Sequence, residues 1–89
     1  MRRQIKKKVL RRLQIIKGQV NGLERMVDDE KYCIDIITQS SAVRQALSGF
    51  ENLILENHLA SHVVEQVKLG QKSKAMREIL SVYKLSQRK

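Results

Sequence analysis

No proline occurs in this 89-residue chain, so no position forbids a long α-helix. From about Lys31 to Leu69, apolar residues recur at helical spacing without a break, which predicts one continuous helix. Such a helix exceeds the length of about 8–20 residues that is usual in globular proteins. In a single small chain much of it would stay exposed. The sequence therefore predicts a long helix that other copies of the chain cover.

Two shorter helices are predicted on either side of the long one. Apolar residues at steps of three and four place one apolar stripe on a helix over roughly residues 3–27. Asp28 and Asp29 interrupt this pattern and are predicted to cap the next helix. Gly70 is predicted to end the long helix, and a third helix is expected over about residues 72–86. The fold class is therefore all-α, and short connections favour antiparallel neighbours.

Composition limits the class of protein. At 89 residues the chain is expected to be a single domain, residues 1–89, near the lower limit for a core that forms unaided. No apolar run reaches the roughly 18–20 residues that span a bilayer, and no signal peptide is expected. The single cysteine excludes an internal disulfide and suits a reducing cytoplasm. No nucleophile, base and orienting group occur together, so an enzyme is not expected.

Charge is segregated along the chain, whose net charge is +9. Residues 1–17 carry eight Lys or Arg residues and no acid, and residues 68–89 carry seven against one glutamate. Residues 18–67 carry three against eight acids. Two basic ends on an acidic middle predict a folded protein that binds a polyanion, with solvated lysines kept for solubility as the alternative.

The two histidines and the single cysteine suggest a metal site. His58 and His62 are four residues apart, and Cys33 lies 25 residues before His58 in the same predicted helix. At about 100° per residue all three project from one face, but at about 1.5 Å per residue Cys33 and His58 are roughly 37 Å apart along the axis. Metal–ligand bonds are about 2.0–2.3 Å, so one straight helix cannot bring these residues together. Two antiparallel copies can, which predicts two identical sites shared between the chains of a dimer.

The donor set restricts the metal. One thiolate and two imidazoles suit Cu(I) with three ligands, or Zn(II) if water or a carboxylate adds a fourth. The oxygen-rich shell that Mg or Ca prefers is not offered. A buried cysteine with two solvated histidines is the alternative that the residues alone leave open.

Three segments occur in order along the chain: RLQIIKGQVNGLERM, YCIDIITQSSAVRQAL and LENHLASHV. Together they resemble the copper-sensing operon repressors of the CsoR/RcnR type, which are bacterial all-helical, metal-responsive DNA-binding proteins. The resemblance covers nearly the whole chain. It implies a three-helix protomer that forms antiparallel dimers with a shared helical bundle, and a tetramer built as a dimer of dimers.

The resemblance also implies roles for single residues. Copper-type members use a cysteine at the position of Cys33, a histidine at that of His58 and most often a second cysteine where His62 stands. Tyr32 and Glu78 match the tyrosine and glutamate that these members couple to the metal-bound histidine. Nickel/cobalt, formaldehyde and persulfide sensors need residues that this chain lacks, so copper sensing is the subtype that remains.

These features predict a cytoplasmic repressor that binds double-stranded operator DNA in the absence of metal and releases it when Cu(I) binds. Five basic residues are expected to contact phosphates, of which the resemblance supports Arg12 most directly. They are Lys7, Lys8, Arg11, Arg12 and Arg44. The alternatives are sensing of Zn(II) or another effector by the same fold, a metal storage or delivery protein with incidental basic charge, and a nucleoid protein indifferent to sequence.

Overall fold

The computed structural model describes residues 1–87, and every regular element in that range is helical. The elements are α1 (Arg3–Asp28), α2 (Cys33–His58), a π-helical turn (Leu59–Val63), α3 (Val64–Lys68) and α4 (Lys72–Ser86). The all-α prediction is confirmed. Helical backbone continues from α2 through the π-helical turn into α3, so the elements form three helical segments. Arg88 and Lys89, which belong to the basic C-terminal segment, lie outside the described residues. None of the helices in residues 1–87 has the length and apolar character needed to cross a membrane.

The chain forms two compact units, of which the first is Met1–Leu55 and the second begins at Glu56. In the first unit the side chain of Arg12 lies beside Gly49, since a methyl group on Gly49 would meet Arg12 Nη1 at 3.4 Å. Arg12 is sixteen residues before the end of α1 at Asp28, and Gly49 is sixteen residues after the start of α2 at Cys33. The two helices of this unit therefore run antiparallel, as the short connection predicted.

The turn after α1 corrects one prediction. Asp28 is the last residue of α1 and Asp29 is its C-cap, so neither aspartate caps α2. The backbone N–H of Lys31 donates to the carbonyl of Met26 at 2.9 Å, and Glu30 adopts the left-handed conformation with φ 54°. This hydrogen bond and this conformation are those of a Schellman motif, which closes a helix and explains why the aspartates belong to α1.

Gly70 ends the long helical segment in the second unit. Its φ of 75° lies in the left-handed region, which glycine adopts without the clash of a Cβ atom. The backbone N–H of Gln71 donates to the carbonyl of Gln66 at 2.7 Å, which is again a Schellman closure. Because α4 begins at Lys72, the prediction that Gly70 stops the helix is confirmed.

Few side chains are buried within the single chain. In residues 1–87 the buried apolar side chains are Val9, Ile16, Val43 and Ala75. Large apolar side chains stay exposed on every long helix, including Val27 at 61%, Ile37 at 63% and Leu80 at 52%. Soluble chains seldom leave this much apolar surface in contact with water unless a partner covers it.

Candidate metal centre

The two histidines lie in the second unit. His58 is the last residue of α2 and is half-buried, whereas His62 lies in the π-helical turn and is exposed. Their ring centroids are 5.4 Å apart and the ring planes are tilted by 30°. A metal ion bound at about 2.0 Å by a ring nitrogen lies about 3.1 Å from the centroid of that imidazole ring. If two imidazoles bind one ion with a nitrogen–metal–nitrogen angle of about 110–120°, their ring centroids are therefore about 5.0–5.5 Å apart. The spacing of the imidazole pair therefore fits one shared metal ion.

The π-helical turn at Leu59–Val63 was not predicted from the sequence. Turns of this kind are rare within α-helices and occur frequently at functional sites. Ser61 Oγ donates a hydrogen bond to the carbonyl of Asn57 at 2.7 Å immediately beside the turn. Such back-bonding competes with the helical hydrogen bonds and often bends a helix. It accompanies the change in backbone geometry between the two histidines.

Glu78 on α4 divides its two carboxylate oxygens between different partners. Oε2 lies 3.7 Å from Nε2 of His58. Oε1 accepts a hydrogen bond from Gln66 Nε2 at 3.3 Å and lies 4.0 Å from Lys74 Nζ. Glu78 therefore faces the Nε2 side of the His58 ring. The structure thus brings together Glu78 and His58, the two residues that the family resemblance pairs.

Sequence reasoning missed Gln66 and Lys74. Both line the same open groove as the histidines, which has a volume of about 440 Å³. A signal for Gln66 was available, because it lies four residues after His62 and eight after His58, a spacing that keeps side chains on one helical face. Lys74 is four residues before Glu78 and reaches it by the same rule.

Cys33 and Tyr32 lie in the first unit. Cys33 is the first residue of α2, and its thiol is free and exposed. Tyr32 precedes the helix with 70% of its surface exposed. Within residues 1–87 no three His, Cys, Asp or Glu side chains come together in a way that could hold a metal ion. The single chain therefore presents the predicted donors without assembling them into a complete site.

The five predicted DNA contacts lie in the first unit. All five side chains are exposed: Lys7, Lys8, Arg11 and Arg12 on α1, and Arg44 on α2. None of them forms an ion pair with a carboxylate among the residues that the structure describes. Basic side chains without a neutralising acid can exchange their counterions for DNA phosphates. The arrangement is compatible with DNA binding along α1.

Comparisons with known proteins identify the family. A profile of the metal-sensitive transcriptional repressors matches residues 5–84, so the chain belongs to this family. The copper-sensing transcriptional repressor CsoR of Bacillus subtilis (strain 168) is 38% identical over 79 residues, which are 89% of this chain and 78% of that protein. The copper-sensing transcriptional repressor RicR of Mycobacterium tuberculosis (strain ATCC 25618 / H37Rv) is 43% identical over 60 residues, 67% of this chain and 62% of that protein.

A solved structure shares the fold. The crystal structure of the copper-sensing repressor CsoR with Cu(I) from Geobacillus thermodenitrificans NG80-2 matches with a TM-score of 0.89 and 34% sequence identity, over 96% of this chain and 88% of that one. The family resemblance inferred from the three sequence segments is thereby confirmed. Since the family consists of transcriptional repressors, the expectation that the chain is not an enzyme is confirmed as well.

Proposed function

We propose that this protein is a cytoplasmic repressor that binds operator DNA in its metal-free state and releases the DNA when Cu(I) binds. The observation that carries the proposal is the imidazole pair of His58 and His62, with Glu78 on the Nε2 side of His58, in a member of a metal-sensitive repressor family. Two relatives are named as copper-sensing, and the matching crystal structure contains Cu(I). These names favour copper as the effector here.

The metal centre is proposed to be shared between two protomers, with Cys33 of one and His58 and His62 of the other. Cys33 begins and His58 ends the same 26-residue helix. No described residues of a single protomer complete the donor set. Exposed apolar side chains follow Cys33 on α2, namely Ile34 at 56% and Ile37 at 63%, and offer surface that a second copy would cover. An antiparallel dimer and a dimer of dimers are the assemblies proposed.

Metal and DNA binding must be linked reciprocally. If Cu(I) weakens DNA binding by some factor, DNA weakens Cu(I) binding by the same factor. The basic residues of α1 lie in one unit and the histidines in the other, so the coupling requires a change in how protomers assemble. We propose that α4 shifts as metal binding tightens the contact of Glu78 with His58, which is 3.7 Å long here, through Tyr32. Metal binding then changes the spacing of basic surfaces across the oligomer.

The affinity for operator DNA with and without Cu(I) tests the function. We expect Cu(I) to weaken operator binding by a factor within the range of roughly 5–150-fold that is typical of allosteric coupling. Equal affinities would contradict the repressor proposal and would favour a storage or delivery protein, whose DNA binding is weak and independent of metal. A nucleoid protein would bind unrelated duplexes as tightly as the operator, so a scrambled duplex of equal length is the control.

X-ray absorption on the loaded protein distinguishes the two metals. We expect three short ligands, one sulfur and two nitrogens, because a thiolate and two imidazoles satisfy Cu(I) without further donors. The assignment to copper would be contradicted by two results together: four ligands after loading with either metal, and DNA release by Zn(II) alone. Four ligands would point to zinc because Zn(II) in proteins is almost always tetrahedral.

A further inference from the structure

We propose that Gln66 is a positioning residue that holds the carboxylate of Glu78 so that one of its oxygens remains directed at His58. The inference deepens the proposed function and rests on it for the link to DNA release. The juxtaposition that carries it lies entirely within the second unit, where α3 and α4 meet across the turn at Gly70.

The two carboxylate oxygens of Glu78 face different partners. Gln66 Nε2 donates to Oε1 at 3.3 Å, while Oε2 is the oxygen that faces His58 Nε2 at 3.7 Å. A carboxylate with one oxygen fixed can rotate little about its terminal bond, so the other oxygen keeps its direction. The hydrogen bond from Gln66 therefore determines which atom of Glu78 is available to the imidazole.

Lys74 is the weaker of the two partners on Oε1. Its ammonium is 4.0 Å away, at the outer limit of an ion pair, and its side chain is 56% exposed. Exposed pairs on one helix contribute little and are screened by salt. The amide of Gln66 is part-buried and comes from a different helix. Gln66 is thus the partner whose loss frees the carboxylate to turn away from His58.

The fold gains little from a glutamine at this position. Gln66 Oε1 is buried and has no hydrogen-bond partner in residues 1–87. A buried acceptor without a partner destabilises a protein, whereas an apolar side chain of similar length would fill the same space without that penalty. The hydrogen bond to Glu78 explains why a glutamine stands at this position. Proteins often keep residues that serve function at the expense of stability.

The test compares Gln66→Met in the full chain with Gln71→Met, which removes another glutamine lining the same groove but no bond to Glu78. For Gln66→Met we expect unchanged or higher thermal stability. The ratio of operator affinities without and with Cu(I) should fall by about tenfold or more, the scale seen when partners of metal ligands are removed. Gln66→Glu, which has the same shape but places a second carboxylate beside Glu78, should lose at least as much.

A readout on the metal-free protein separates this inference from the proposed function. Long-range ¹H–¹⁵N spectra report which ring nitrogen of His58 carries the proton. We expect the Nε2–H form to dominate in the wild type and in Gln71→Met, and to lose population in Gln66→Met. An unchanged tautomer ratio, or a Gln66→Met protein less stable than wild type, would overturn the positioning role. Wild-type protein whose operator affinity ignores Cu(I) would instead overturn the proposed function, and the tautomer ratio would still decide the role of Gln66.

Discussion

Replacing Cys33 by alanine is expected to abolish the release of operator DNA by Cu(I) while leaving the affinity of the metal-free protein for the operator unchanged. Cys33 is the chain's single thiol and is the soft donor of the proposed centre, the donor type that favours Cu(I). Loss of a partner of a ligand costs about 10–100-fold in metal affinity, so loss of the ligand itself should cost more than about 100-fold. Competition with a Cu(I) chelator and operator titrations measure the two effects.

Ser48→Ala is the matched control for Cys33→Ala. Ser48 is a small exposed residue of the same helix outside the candidate site, and its replacement should change neither quantity. A Cys33→Ala protein that still binds Cu(I) tightly and still releases DNA would remove the thiol from the centre. A Cys33→Ala protein that no longer binds the operator without metal would show that the thiol acts on folding or assembly instead.

Neutralising two basic residues of α1, as in Lys8→Gln/Arg12→Gln, is expected to weaken operator binding strongly and to flatten its dependence on salt. Each lost phosphate contact reduces the steepness of log affinity against log salt by about 0.9. This corresponds to a loss of about eightfold in affinity at 0.1 M salt relative to 1 M salt. Two contacts therefore correspond to roughly 60-fold for each protomer on the DNA. Titrations at several salt concentrations measure both the slope and the affinity.

The control for this double variant is Arg25→Gln. Arg25 lies in the last turn of the same helix, is exposed, and belongs to the acidic middle of the sequence. Its neutralisation should leave the slope nearly unchanged. If Arg25→Gln and the double variant flatten the slope equally per charge, DNA binding would depend on net charge alone and the surface formed by α1 would have no special role.

The helices could be predicted because their signals are local. The apolar period of α1, the absence of proline and the glycine at position 70 each act within a few residues. The caps were harder: Asp28 and Asp29 suit an N-cap by type, but the left-handed Glu30 closes α1 after them. The π-helical turn at Leu59–Val63 was out of reach, since its five residues are fewer than the window of about 11–18 residues over which a helical period is read.

The site could be predicted only in part. The spacing of His58 and His62 indicates a pair of imidazoles, and the structure places the two rings side by side. Glu78 required the family resemblance, because its approach to His58 depends on how α4 folds back after Gly70. Gln66 meets Glu78 through the same packing, whereas Lys74 lies four residues before Glu78 on α4 and needs no such packing. Which copy supplies Cys33 depends on contacts between chains, and it remains a prediction.

Mixing two defective variants tests that prediction most directly. Cys33→Ala and the double variant His58→Ala/His62→Ala should each fail to bind Cu(I) tightly when alone. If protomers exchange donors across a symmetric dimer, unfolding and refolding an equal mixture restores one complete centre in each mixed dimer, or about one quarter of the wild-type capacity for random pairing. No recovery of tight Cu(I) binding, in a mixture shown by mass spectrometry to contain mixed dimers, would contradict a centre shared between protomers.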